Sequence, residues 1–212
     1  MKNYLGLLAA IALPVLLNGC TPLALATGAG ATVGVAAAQE GGVKGAATDA
    51  SIRLTLTDLW LKKDPNLYRR LSMTVKEGRV LITGHVPDPD QRVDAVRLAW
   101  QADGVKQVIN EIVVDEDVGA GDYVKDSWIT SDIKARLMFD KYVQSINYSI
   151  ETVAGVVYIM GVAQDQRELD RVLDYARNTK YVKSVTSYVR MRGETPPGIV
   201  NPETGEIESS IH

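Results

Sequence analysis

Gly78-Arg79-Val80-Leu81-Ile82-Thr83-Gly84 decides the fold because it is written twice: Gly155-Val156-Val157-Tyr158-Ile159-Met160-Gly161 follows 77 residues later. In each copy a glycine opens a run of β-branched and aliphatic residues and a second glycine closes it, as in a strand leaving a hairpin turn. Worked outward at the same offset, Asp49–Ile112 lies over Asp126–Val189 without a gap. Ile52 falls on Ile129, Ser72 on Ser149, Val105 on Val182, Lys106 on Lys183 and Val108 on Val185. The matches are turn glycines and aliphatics at strand spacing, the positions a repeated scaffold needs. No His, Cys, Ser–His pair or carboxylate dyad is repeated. A scaffold duplicated without chemistry points to a binding module and away from an enzyme.

Each copy reads as helix, hairpin, helix, strand. In the second, Ile129, Ile133 and Leu137 recur every fourth residue behind Asp126, which has the chemistry of an N-cap. Residues Ser145–Thr152 and Val156–Gly161 form a hairpin around Ala154-Gly155, Asp165–Thr179 has helical spacing, and Tyr181–Val189 closes with a strand. The first copy follows with Ile52, Leu56, Leu59 and Trp60, then Leu71–Val75 and Arg79–Gly84, then Val96 and Ala99, then Val105–Val114. Gly84 and Gly161 are expected to end their strands, and Asp88 to cap the helix after it. Two helices on one face of a three-stranded sheet complete a two-layer α+β core. Units of roughly 65 residues lie near the lower limit for independent folding, so the repeats should touch.

The flanks set the compartment. Lys2 precedes the apolar run Leu5 to Leu16, and Leu17-Asn18-Gly19-Cys20 follows, so residues 1–19 read as an export signal. Cys20 is the one cysteine of the chain, which excludes an internal disulfide. Leu17 and Gly19 before it resemble the bacterial lipobox, with Asn18 a departure; the resemblance implies acylation of Cys20. Thr21 in place of Asp after that cysteine implies sorting to the outer membrane. An ordinary signal or uncleaved anchor followed by an unrelated cysteine is the alternative. Residues 20–48, rich in Gly and Ala, read as a flexible arm, 115–123 as a linker, and 192–212, with Pro196, Pro197, Pro202 and four glutamates, as a disordered acidic tail. The chain carries −3, or −4 without Lys2, which argues against nucleic acid as a partner.

Gly78 to Gly84, followed by Gly104-Val105-Lys106-Gln107-Val108-Ile109-Asn110-Glu111-Ile112, resembles the BON domain; Gly155 to Gly161 with Val182-Lys183-Ser184-Val185 resembles a second copy. Tyr181 stands where the pattern has Gly. With Asp126-Ser127-Trp128-Ile129-Thr130 and the lipobox, the chain is similar to dual-BON lipoproteins of Gram-negative outer membranes. The resemblance covers residues 17–191, leaves the acidic tail unmatched, and implies two tandem αββαβ domains at 49–114 and 124–191. It implies binding of anionic phospholipid through the first helix of the second domain, a role in envelope integrity, no catalysis and no cofactor.

The residues of that helix speak independently. At 100° per residue, Ile129, Ile133 and Leu137 share a core-facing sector, while Trp128, Ala135 and Phe139 lie more than a third of a turn away with Met138 beside them. Lys134, Arg136 and Lys141 flank them. The first copy has Ser51 for Trp128 and Lys62 for Phe139. An apolar stripe beside cations fits a bilayer interface. It equally fits a scaffold that docks another envelope protein, such as an outer-membrane assembly protein, with acylated Cys20 as the only membrane contact. Trp100 is open to core, inter-repeat or partner contact. His85 lacks companions for a metal site, and Pro87 and Pro89 break any calcium loop through Asp88, Asp90 and Asp94.

Overall fold

The computed structural model describes residues 41–115 and 120–194. Cys20, the signal, most of the arm and the acidic tail beyond residue 194 lie outside the described residues. The first unit runs α1 (Gly42–Lys63), α2 (Pro65–Arg70), β1 (Leu71–Lys76), β2 (Arg79–Val86), α3 (Pro89–Ala99) and β3 (Gln107–Val114). The second runs α4 (Ala120–Phe139), β4 (Tyr148–Val153), β5 (Val156–Ala163), α5 (Gln166–Arg177) and β6 (Ser184–Met191), with a 3-10 turn at Ser145–Asn147.

Each sheet is mixed. β2 is central, antiparallel to β1 and parallel to β3; β5 holds the same place between β4 and β6. Ile52, Leu56 and Trp60 of α1 and Ala95 and Leu98 of α3 cover one face of the first sheet with Val80, Ile82 and Val86 beneath. Ile129, Ile133 and Leu137 pack likewise on Ile150, Val157 and Ile159. Trp60 is wholly buried and donates its indole N–H to the Ala95 carbonyl at 3.3 Å, so its one polar atom is satisfied.

The repeat extends to atoms. The Asp49 carboxylate accepts from the N–H groups of Glu77 and Gly78, both at 2.8 Å, and Asp126 accepts from Ala154 and Gly155 at 2.7 and 2.8 Å. Both central residues of each hairpin have positive φ, as a two-residue primed turn demands. Asp126 is therefore not an N-cap; it lies inside α4 and clamps the hairpin beneath it. The helices start earlier than expected, α1 at Gly42 within the stretch read as arm, where Ala46, Ala47 and Ala50 favour helix, and α4 at Ala120 within the linker. Asp88 does cap α3, accepting from the Asp90 N–H at 2.9 Å.

Two glycines and one short helix differ from the sequence expectation. Gly84 and Gly161 sit inside β2 and β5, opposite Leu71 and Tyr148, not at strand ends. Gly42 has φ 60 at the start of α1, so it is a poor site for a β-branched residue despite the open space around it. Short helix α2, capped by Asp64 with Pro65 at its first turn, is reduced in the second unit to the 3-10 turn Ser145–Asn147.

The outer faces of the two sheets meet. Leu81 and Ile109 of the first pack with Tyr158 and Met160 of the second. Arg79, 4% exposed, donates to Gln107 Oε1 and to the Tyr188 carbonyl, both at 2.8 Å. Tyr188 donates its hydroxyl to Glu111, and Arg190 pairs with Glu77. Burial, with Arg190 close by, lowers the Arg79 guanidinium to about 10.

Candidate functional site

Helix α4 turns Ile129, Ile133 and Leu137 inward and leaves a second stripe uncovered. Trp128 is 45% exposed, Met138 68% and Phe139 85%, and Val124 and Ala135 are exposed on the same side. From Trp128 to Phe139 the stripe runs about 16 Å at 1.5 Å per residue. Tyr142, exposed just past the helix, carries Lys141 Nζ over its ring at 4.8 Å and the Arg171 guanidinium at 5.0 Å. At the other end the Tyr181 ring stands edge-on to Trp128, centroids 5.8 Å apart at 73°.

The three expected cations divide. Lys141 joins the stripe through Tyr142. Arg136 is exposed but tied to Asp132 at 2.8 Å, so its charge is balanced on the helix itself. Lys134 is exposed and close enough to the half-buried Glu151 carboxyl of β4 to act on it. Lys125 and Lys180, unremarked in the sequence, border the Trp128–Tyr181 end; Lys180 Nζ lies 4.6 Å from the Tyr181 ring centre and lowers its phenol from the usual range.

Asp140 fixes the far end. Its side chain is buried and accepts from the Tyr142 N–H at 2.9 Å, from Arg171 at 2.9 and 2.7 Å, and from the Tyr175 hydroxyl at 2.9 Å. The Tyr142 amide first, then Arg171 and Tyr175, hold its carboxyl below the usual range. A depressed folded value contributes stability above the unfolded pKa of roughly 3.9, lost as pH falls through the folded value. Asp140→Asn should therefore lower Tm by about 4 °C or more near neutrality. It should also flatten the acid limb of the Tm–pH profile; an unchanged limb would show that the network contributes nothing.

A crevice of about 610 Å³ opens between the units, lined by residues including Arg70, Leu71, Thr83, His85, Ser127 and Glu151. Thr83 Oγ1 and His85 Nδ1 are buried there without a protein partner, and burial raises the Glu151 carboxyl. Its walls mix Arg69 and Arg70 with Asp126 and Glu151, so it presents no single charge. The described residues contain no His, Cys, Asp and Glu cluster able to hold a metal, and no helix among them is long and apolar enough to cross a membrane. Trp100 is exposed on the first unit, outside both cores.

Comparison with known proteins agrees with the two-unit reading. Residues 48–116 and 125–193 each match the BON domain family. The chain is 48% identical over 127 residues, 59% of its own length and 84% of the other's, to an "uncharacterized protein in gshII 5'region" of Anaplasma centrale. It is 31% identical over 131 residues (61% and 67%) to a "21 kDa hemolysin" of Actinobacillus pleuropneumoniae. It is 30% identical over 116 residues (55% and 60%) to the "outer membrane lipoprotein DolP" of Haemophilus influenzae.

Proposed function

The chain belongs to the BON-domain family, and from that premise we propose that it is a non-enzymatic outer-membrane lipoprotein, facing the periplasm, that binds anionic phospholipid through α4 and supports envelope integrity. The observation that carries this reading is the uncovered stripe of Val124, Trp128, Ala135, Met138 and Phe139 on a helix whose opposite face already fills a core. Likeness to an outer membrane lipoprotein supports the compartment. Acylation at Cys20 would hold the body at a bilayer, so that α4 need supply only a second, weaker contact. Lys141 at one end and Lys180 at the other suit anionic headgroups, each cation close to such a surface contributing about 1 kcal/mol. The first unit has Ser51, Asp58 and Lys62 where the second has Trp128, Ala135 and Phe139, so one helix of the pair is suited to this role.

Trp128→Glu in a non-acylated body beginning at Thr21 tests it by vesicle flotation. A charge replacing an aromatic ring at the interface should weaken binding to anionic vesicles by about tenfold or more, the equivalent of ~1.4 kcal/mol. Added salt should weaken wild-type binding too, and Ser51→Glu should change little. A folded Trp128→Glu protein that floats like wild type would remove the lipid assignment and leave the stripe to a protein partner.

A further inference from the structure

Tyr181 is one of three non-glycine residues with positive φ among the described residues, and the other two sit in hairpin turns. It occupies the third position of a β-turn, Thr179–Val182, closed by the Val182 N–H donating to the Thr179 carbonyl at 3.3 Å. The first unit makes the same turn, with Val105 donating to Ala102 at 3.2 Å, and places Gly104 at the equivalent position with φ 92. Tyr181 has φ 71. A turn of this kind calls for glycine there, and a side chain held in that region is strained.

The ring gives the fold little in return. It is 53% exposed and takes no part in the second core; its aromatic contact is the edge of Trp128, itself half exposed. A neighbouring position has changed with it. A Cβ on Gly104 would meet Thr48 Cγ2 at 3.0 Å, whereas the equivalent of Thr48 is the exposed, flexible Lys125. Lys125 pairs with Asp122 at 3.6 Å and Asp132 is paired with Arg136, so the acids near this end are matched. Lys180 makes no ion pair among the described residues and lies against the Tyr181 ring.

We infer that Tyr181 is a second membrane-contacting residue, kept in a strained turn so that its ring, set against Trp128, widens the apolar face that α4 offers to an anionic bilayer. The inference rests on the lipid reading above and adds to it a residue from outside that helix. Aromatic rings beside lysines match the interface of an anionic bilayer, apolar below and negatively charged at the headgroups.

The test uses the full chain carrying Trp100→Phe, so that wholly buried Trp60 and exposed Trp128 are its tryptophans. Vesicles of anionic lipid brominated in the acyl chains quench Trp128 only when it enters the bilayer. Tyr181→Gly should raise Tm by about 3 °C or more as the turn relaxes, while the quenching weakens by about threefold or more. Tyr181→Phe, which keeps the ring, should behave as the parent in both measurements. Unchanged quenching in Tyr181→Gly would overturn the inference, and so would a lowered Tm, since the residue would then serve the fold. If the parent itself is not quenched, the lipid reading fails; if the parent is quenched and Tyr181→Gly equally so, the assignment of Tyr181 alone fails.

Discussion

Gly161→Val is expected to unfold the second unit. A Cβ at this position of the central strand would lie 2.2 Å from the Asn147 carbonyl oxygen and 3.1 Å from Tyr148 Cα. Both obstacles are backbone, so relief requires β4 to move off its register with β5, where Tyr148 lies opposite Gly161. Such overpacking of a central strand falls in the largest class of point-mutation effects, about 4 kcal/mol or more. A unit of this size has little more than that in total. Gly84→Val should do the same to the first unit, because its Cβ would meet the Arg70 carbonyl at 2.3 Å. Gly45→Val is the control: it lies in α1 with nothing within 4 Å of an added Cβ. Thermal melts followed by circular dichroism decide the matter. A Gly161→Val protein that melts with Gly45→Val would mean that the approach of β4 to β5 is not what glycine permits there.

Local pattern made the elements legible. The 77-residue offset paired residues that the structure places identically, down to Asp49 and Asp126 clamping equivalent turns. The apolar periods of Ile52–Leu56–Trp60 and Ile129–Ile133–Leu137 named the core faces correctly, since burial at every fourth residue needs no knowledge of the partner. The exposure of Trp128, Ala135 and Phe139 followed from the same arithmetic. Errors came where a residue type has two uses. Asp126 before an apolar run has the signature of a cap, yet a carboxylate can equally bind hairpin amides 28 residues away, and that distance is invisible to local pattern.

Gly84 and Gly161 marked strand ends by propensity, whereas they serve close backbone approach across a pair. The candidate site was legible along one helix and illegible beyond it. Tyr142, Lys180 and Tyr181 reach the stripe by turns whose geometry depends on α5 and β6 packing back on the sheet. One signal was present: Tyr181 broke the repeat at a position where Gly104 has positive φ. A departure from an internal repeat at a glycine position marks a backbone cost, and such costs concentrate at functional sites.

Leu81→Asp should separate the two units without dissolving either core, the second of the large effects expected here. Leu81 is 1% exposed and faces Ile109, Tyr158 and Met160 on the sheet surfaces that meet, while Val80 and Ile82 beside it face the helices. Alternation along β2 thus assigns Leu81 to the contact between units and its neighbours to the fold of the first. A carboxylate placed there is uncompensated. Arg79, two residues before it on the same face of β2, already donates to Gln107 and Tyr188. Losing the leucine and burying the charge together cost about 3–5 kcal/mol, which the contact can avoid by opening to water. Opening would also break the Arg190–Glu77 pair and the Tyr188–Glu111 hydrogen bond, both of which run between units. The expected result is two resolved thermal transitions in place of one and a larger radius of gyration in solution scattering. On the lipid reading proposed above, vesicle binding should survive, because α4 packs on its own sheet and keeps its stripe when the units separate. A Leu81→Asp protein with an unchanged single transition and unchanged radius would show that the sheets do not hold the units together. Loss of lipid binding on separation would instead place part of the membrane contact on the first unit.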